Sequence, residues 1–343
     1  MRDSTPTISD VARLAQVSPG LVSRLLNGDT SLRVRSETEE RVRAAAKELD
    51  YSPNAVARAL RRARSGLIAI GVHDAGNPIY SAITEGAEAA ASEAGYALML
   101  ADVDALAHDD AAFRRVVAGG AIDGLLLQRA GTESDALIAK IASRTVPTVL
   151  LNDRTRGSIG SIAVDDYAAA HVATSHLAEL GHRRIALLQV DGPKSRTDRR
   201  RRGWEDALAA AGLVPDPALI ANGGHTPEDG ANGMRTLLAK GGFTAVFVAN
   251  ILSAIGAVSR ARDSGRTVPD DLSVVAMHDF GLAAYLSPTL TTVRLPLREM
   301  GARAVGMLLE QLDGGAATHE VVSSPAPLLV VRDSTRPVSG SPR

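Results

Sequence analysis

The sequence predicts an all-α helix-turn-helix headpiece with a hinge helix, followed by a two-lobed α/β core with parallel sheets. Three observations predict it. Residues 7–26, TISDVARLAQVSPGLVSRLL, set two short amphipathic helices back to back. From residue 65 onward, short apolar strands alternate with amphipathic helices. That alternation runs through two successive series, and 343 residues are enough for a headpiece and two substantial cores.

In the first helix Ile8, Val11, Ala12, Leu14 and Ala15 recur at the spacing of one buried face, and in the second Leu21, Val22, Leu25 and Leu26 do so. Ser18 is placed to cap the second helix, with Pro19 at its first position, where a missing amide hydrogen costs nothing. Val17 anchors the turn. Gly20, Ser23, Arg24 and Asn27 fall on the polar side and are free to meet a major groove. Ser36 and Glu39 read as a capping box for a third helix with Val42, Ala45, Ala46 and Leu49 inside. A helix pair alone also fits a plain surface element; the third helix makes it a headpiece. Tyr51-Ser52-Pro53-Asn54 leads into AVARALRR (55–62), a helix-prone run too short to persist unaided. These signals divide the chain into a headpiece (1–52), a hinge and linker (53–64), a core (65–336) and a disordered tail (337–343).

In the core, LIAIGV (67–72), YALMLADV (96–103), GLLLQ (124–128) and TVLLN (148–152) read as strands of a first lobe, separated by helical stretches such as 80–94 and 109–118. A second series, SIAVD (161–165), RIALLQV (184–190), a strand near 218–222, AVFVAN (245–250) and LSVVAM (272–277), reads as a second lobe. Gly119-Gly120, Gly223-Gly224 and Gly314-Gly315 read as turns.

The formal net charge of −1 conceals an asymmetry: residues 1–64 hold 12 Lys and Arg against 8 Asp and Glu, and the remainder 26 against 31. The basic excess sits on the headpiece, where phosphate contact would need it. No cysteine is present, which removes disulfides, thiol nucleophiles and cysteine-metal sites. MRDSTPTISD lacks the apolar centre of an export signal and no run approaches the roughly 20 apolar residues of a membrane helix, so a soluble, cytoplasmic protein is expected. No Walker A loop, GxGxxG opening a helix, HExxH or GxSxG occurs, so no catalytic residue, metal or cofactor is expected. A transport-system solute-binding protein is the competing class, because two α/β lobes around a cleft serve that role equally well. A sugar-metabolising enzyme with an unrecognised site is the third.

ISDVARLAQVS, LVSRLLNG, LDYSPNAVARAL, ELGHRRIALL, VVAMHDF and SPTLTTV follow one another along almost the whole chain, and in this the sequence resembles the LacI family of bacterial transcription regulators. The resemblance implies a periplasmic-binding-protein-like core with three crossings between lobes, near Ala163, Thr292 and Val321. The N-lobe would hold about 65–163 and 293–321, the C-lobe about 164–292 and 322–336. It implies a homodimer, with helices 79–91 and 298–312 available to the two-fold contact, on a pseudo-palindromic double-stranded operator. It also implies repression of a catabolic or transport operon under a sugar, sugar acid or sugar phosphate effector. DNA contact is carried onto Ser18, Pro19, Gly20, Leu21, Ser23, Arg24 and Asn27, and onto the hinge residues Asn54, Ala57 and Leu60, with Leu60 as a minor-groove wedge.

Effector contact is carried onto Asn77, Ile79 and Tyr80 after the first strand, Gln128, Asn152, Arg200 and Asn250. Family placement makes the Arg199–Arg202 run a helix start near the cleft, with arginines other than Arg200 mainly solvated. His225 stands where the family commonly stacks an aromatic on a sugar, and Ile251 and His278 where it has aspartates. His73 ends the first strand nearby. Partly protonated histidines together with Arg200 would favour an anionic effector, whose affinity would fall as pH rises through about 6.5; the alternative is neutral histidines that hydrogen-bond around an ordinary sugar or point into solvent.

Overall fold

The structure, a computed structural model, describes residues 6–26, 32–51, 64–74, 76–129, 133–142, 146–154, 157–190 and 194–338. The chain divides into two compact units, residues 1–65 and 66–343. Asn27, Asn54, Ala57 and Leu60 lie outside the described residues, as does nearly all of the expected hinge.

Among the described residues the first unit holds three helices: α1 (Ile8–Leu14), α2 (Pro19–Leu26) and α3 (Ser36–Glu48). Thr7 and Asp10 form a reciprocal capping box on α1, and the Ser18 hydroxyl accepts from the Leu21 amide at 3.2 Å to open α2. Val11, Ala12, Ala15, Val22, Leu25, Val42, Ala45 and Ala46 close the core. Three expectations are corrected. Leu14 is exposed, because it lies at the edge of a stripe already filled by Val11, Ala12 and Ala15. Ser23, expected to face outward, is buried; a side chain this small is covered by its packed neighbours. Ser36 does not cap α3: Arg35 takes the N-cap position without a side-chain bond, and Glu39 pairs with Arg43 one turn on.

Among the described residues the second unit holds two six-stranded sheets. The first uses β1 (Leu67–Val72), β2 (Ala97–Asp102), β3 (Gly124–Gln128), β4 (Thr148–Leu151), β5 (Gly160–Val164) and β11 (His319–Val322) in the order β11-β5-β4-β3-β1-β2, all parallel. The second uses β6 (Ile185–Gln189), β7 (Ile220–Asn222), β8 (Ala245–Val248), β9 (Ser273–Met277), β10 (Thr291–Arg294) and β12 (Leu328–Val330) in the order β12-β10-β9-β8-β6-β7, with only β12 antiparallel. The central strands are Val-, Ile-, Leu- and Ala-rich and buried along their length, as strands covered on both faces must be.

SIAVD therefore belongs to the first sheet, where β5 pairs with β4, and not to the second series. An apolar run bounded by polar residues has the same appearance in either sheet, so only pairing assigns it. The chain leaves the first sheet after Val164, returns to it after Arg294 and leaves again after Val322. The crossings thus fall a residue or two beyond Ala163, Thr292 and Val321, which are themselves paired strand residues, where ladder bonding stops. The stretch 109–118 is a short helix, α6 (Asp110–Phe113), running into a π-helical turn at Arg114–Ala118. Pro337 and Val338, expected in the disordered tail, are in place: the Val338 amide donates to the Leu180 carbonyl at 3.0 Å. Gly120, Gly224 and Gly314 take positive φ at the three glycine turns.

The helices covering the sheets are α4 (Pro78–Glu93), α5 (Val103–His108), α7 (Glu133–Ala142), α8 (Asp166–Glu179), α9 (Lys194–Ala210), α10 (Pro227–Lys240), α11 (Ile251–Asp263) and α12 (Leu297–Leu312). Two pairs cross backbone against backbone. A Cβ on Gly86 of α4 would lie 1.9 Å from the Arg298 carbonyl oxygen, and one on Gly301 of α12 2.0 Å from that of Ile83. Gly230 and Gly256 do the same for α10 and α11, at 1.9 Å from the Ser253 oxygen and 1.7 Å from the Pro227 oxygen. Helices α4 and α12, expected at a two-fold contact, thus each spend one face on the other within the chain.

Candidate functional site

In the first unit, α2 presents Pro19, Gly20 and Arg24 to solvent, with Leu21 half-buried and Ser18 occupied as a cap. The Arg41 guanidinium donates to the Ala15 carbonyl at 3.1 Å, tying α3 to the turn between α1 and α2. The exposed edge is small and carries one guanidinium fork, the geometry for a bidentate bond to a guanine or a phosphate.

In the second unit each sheet has one topological switch point, where strand order reverses and loops part to leave a crevice. In the first sheet it lies between β1 and β3. There the Gln128 side-chain oxygen accepts from the His73 amide at 3.1 Å, and its amide nitrogen donates to the Tyr80 hydroxyl. In the second sheet it lies between β6 and β8, where the Thr197 hydroxyl bonds the Val190 carbonyl and an Arg200 nitrogen bonds the Ala249 carbonyl at 3.0 Å. Helix α9 is thus anchored at both strand ends.

Arg196 and Arg200, four residues apart on one face of α9, are 5% and 3% exposed. Asp166, the first residue of α8, is 0% exposed. It accepts from Arg200 Nε at 2.8 Å and Arg199 Nη2 at 3.3 Å. Burial by itself would raise the Asp166 pKa, but the attraction of Arg200, Arg196 and Arg199 outweighs it and holds the carboxylate below its ordinary value. Tyr80 reaches this cluster from the other lobe: burial pushes its hydroxyl up to about 12, against the pull of Arg196 and Arg200, so it is neutral. His278, 3% exposed and at φ 74, has no hydrogen-bond partner on either ring nitrogen among the described residues, and the Nε of Arg196 has none either.

The structure brings His73, Tyr80, Gln128, Arg200 and His278 toward this region. Asn77 and Asn250 serve as N-caps of α4 and α11: the Asn77 oxygen accepts from the Ile79 amide, that of Asn250 from Leu252 and Ser253. Ile79 and Ile251 are core residues. Asn152, after β4, takes positive φ and has a buried side-chain oxygen with no partner among the described residues. His225 is exposed, its amide bonded to Asp229.

One expectation is corrected here and one of two alternatives is decided. Arg199 is not solvated; it faces Asp166. His278 carries no positive charge near neutral pH: burial, then repulsion from Arg200 and Arg196, lowers its pKa well below the usual value against the attraction of Asp166. Its titration therefore cannot favour an anion in the way expected. Sequence reasoning missed Arg196 and Asp166. The signal was the four-residue spacing of Arg196 and Arg200 opposite the acidic pair that opens α8.

One consequence concerns acid stability. Unfolded His278 binds a proton near pH 6.5 and the folded residue does so only far lower, so stability is full above about 6.5 and is lost as pH falls below it. His176 and His182, also lowered by burial, act in the same direction. Urea midpoints should fall from neutral pH to about pH 5.5, each such proton costing up to about 1.4 kcal/mol per pH unit. His278→Asn should flatten that slope; an unchanged slope would remove His278 from this role.

Residues 7–54 match the family described as bacterial regulatory proteins, lacI family, and residues 174–335 a periplasmic binding protein-like domain. The HTH-type transcriptional regulator DegA of Bacillus subtilis is 31% identical over 336 residues, covering 97% of this chain and 99% of DegA. The lac repressor dimer bound to operator and an anti-inducer superposes with TM-score 0.76 at 28% identity, covering 97% of this chain and 100% of that one. The transcriptional regulator CelR, solved with cellobiose, superposes with TM-score 0.68 at 31% identity, covering 96% and 99%. Among the described residues no helix is long and apolar enough to cross a membrane.

Proposed function

Because the chain belongs to the LacI family of bacterial regulatory proteins, we propose that it is a sequence-specific DNA-binding transcriptional regulator, a repressor of a carbohydrate catabolic or transport operon, controlled by an effector held between its two lobes. The observation that carries this reading is the coupling, in one chain, of a helix-turn-helix unit with an exposed reading edge to a core in which both switch points hold buried polar side chains. A solute-binding protein needs the second and has no use for the first. The working form we assign is a cytoplasmic homodimer on a pseudo-palindromic operator, each copy placing α2 in a major groove. Its effector is carbohydrate-like and lies among Tyr80, Gln128, Asn152, Arg200 and His278. Ser18, Leu21 and Ser23 support the reading helix, while Pro19, Gly20 and Arg24 meet the DNA.

Selection of duplexes from a random pool by the full chain tests the reading: it should enrich a two-fold symmetric site, and enrichment of no sequence would overturn it. On that site Arg24→Ala should weaken binding by about 1–3 kcal/mol at fixed salt and relax selectivity at one base pair of each half-site. Unchanged affinity and selectivity would take Arg24 out of the base contacts.

A further inference from the structure

Three guanidinium groups, those of Arg196, Arg199 and Arg200, surround the single carboxylate of Asp166. That carboxylate is already spoken for: Arg200 and Arg199 each hold one of its oxygens by a direct hydrogen bond. Arg196 feels Asp166 only through space, and no hydrogen bond satisfies its Nε among the described residues. Burial and the repulsion of Arg200 lower its pKa, yet a guanidinium stays charged in a protein. A buried charge left over in this way is costly unless it is paired and hydrogen-bonded. Facing the same charges are the His278 ring, with both nitrogens unpartnered among the described residues, and, from the other lobe, Tyr80, which accepts a hydrogen bond from Gln128.

We propose that the effector is an acid: a sugar-sized molecule bearing an oxyanion, carboxylate or phosphate, that pairs with Arg196, while the buried ring of His278 exchanges hydrogen bonds with a neighbouring hydroxyl. This rests on the reading of the interlobe region as the effector site, and narrows it to one chemical class. Arg196 is the specificity-determining residue. Asp166 keeps Arg200 paired internally, leaving Arg196 for the ligand. Because an arginine supplies the charge, recognition of the anion does not depend on titration of a histidine. A planar fork on a flat carboxylate or on two phosphate oxygens forms two parallel charge-assisted bonds, a geometry lysine does not reproduce.

The test uses the full chain and thermal shift at matched ionic strength, with sodium sulfate as the bare oxyanion, gluconate and glucose 6-phosphate as the two acid forms, and glucose and sodium chloride as references. Sulfate and at least one acid should raise Tm, glucose and chloride should not, and the acid that acts tells carboxylate from phosphate. Arg196→Gln should weaken anion binding by about tenfold or more, Arg196→Lys less, and Arg202→Gln, exposed on the same helix, not at all. Loss of one of three like charges relieves repulsion, so Arg196→Gln is expected to fold. Equal anion binding by Arg196→Gln, absence of any anion effect, or preference for glucose would overturn the proposal. Operator binding measured on the same samples separates the two levels: a chain that binds its operator but no anion loses only the acidic effector, whereas one that binds anions but no DNA loses the regulatory reading.

Discussion

Asp166→Ala should destabilise the two-lobed core by about 3–5 kcal/mol, measured by urea unfolding at neutral pH. The magnitude follows from what is left behind. Asp166 is fully buried and bonded to Arg200 and Arg199, with Arg196 adding to the local positive charge, so its removal strands guanidinium groups that cannot reach water without opening the packing of α8 on α9. A surface ion pair such as Arg201 with Glu205 is exposed on both sides, and its loss should cost less than about 1 kcal/mol. In a double-mutant cycle, Asp166→Ala with Arg200→Ala should cost clearly less than the sum of the two single changes, because the second removes a charge the first leaves unpaired. Sulfate should recover more stability in Asp166→Asn than in the parent chain, since an external anion then has more unpaired cations to join. A loss below 1 kcal/mol for Asp166→Ala would show that the arginines are hydrated in the folded protein.

Gly256→Ala should destabilise the same core by about 1–3 kcal/mol, with a lowered urea midpoint and unchanged unfolding slope. Two effects oppose one another here. Alanine in a helix interior is worth up to about 1 kcal/mol over glycine through propensity. Against that, the new Cβ would stand 1.7 Å from the Pro227 carbonyl oxygen, a backbone atom that moves only if α10 and α11 separate. Helix separation wins because it also loosens the packing along the whole crossing. Gly95→Ala probes a different effect: nothing lies near its Cβ, but φ is +77°, so the cost is backbone strain without a clash. A stabilised Gly256→Ala variant would mean that the helices do not cross this closely.

Much of this protein was legible in local pattern. The three headpiece helices, the Ser18 cap, the alternation of apolar strands with amphipathic helices, and the glycine turns all depend on residues within a few positions of one another, where periodicity and cap chemistry act. Motif order along the chain sufficed for the family. The strand SIAVD shows where that power ends: its sequence predicted a strand, and only the pairing of β5 with β4 put it in the first sheet. Ser36 and Glu39 had the spacing of a capping box, yet α3 begins at Ser36 itself with Arg35 as its cap residue.

The candidate site divides in the same way. Arg200 and the neighbourhoods of Tyr80 and Gln128 were reachable from position in the chain. Arg196 was not, since it lies in a helix that holds Arg196, Arg199, Arg200, Arg201 and Arg202, chemically identical side chains with opposite fates. Arg201 and Arg202 are exposed; Arg196 and Arg200 are buried. For His278 the sequence left a cation and a neutral hydrogen-bonding ring both open, and burial holds it neutral. The kinds of element, their order and the family follow from short-range periodicity and motif succession. Which charges are stripped of water, and therefore which of them a ligand must satisfy, was decided only by the tertiary structure, because desolvation depends on what α8, α9 and the strand ends of both sheets place around a group, and those neighbours are far away in the chain.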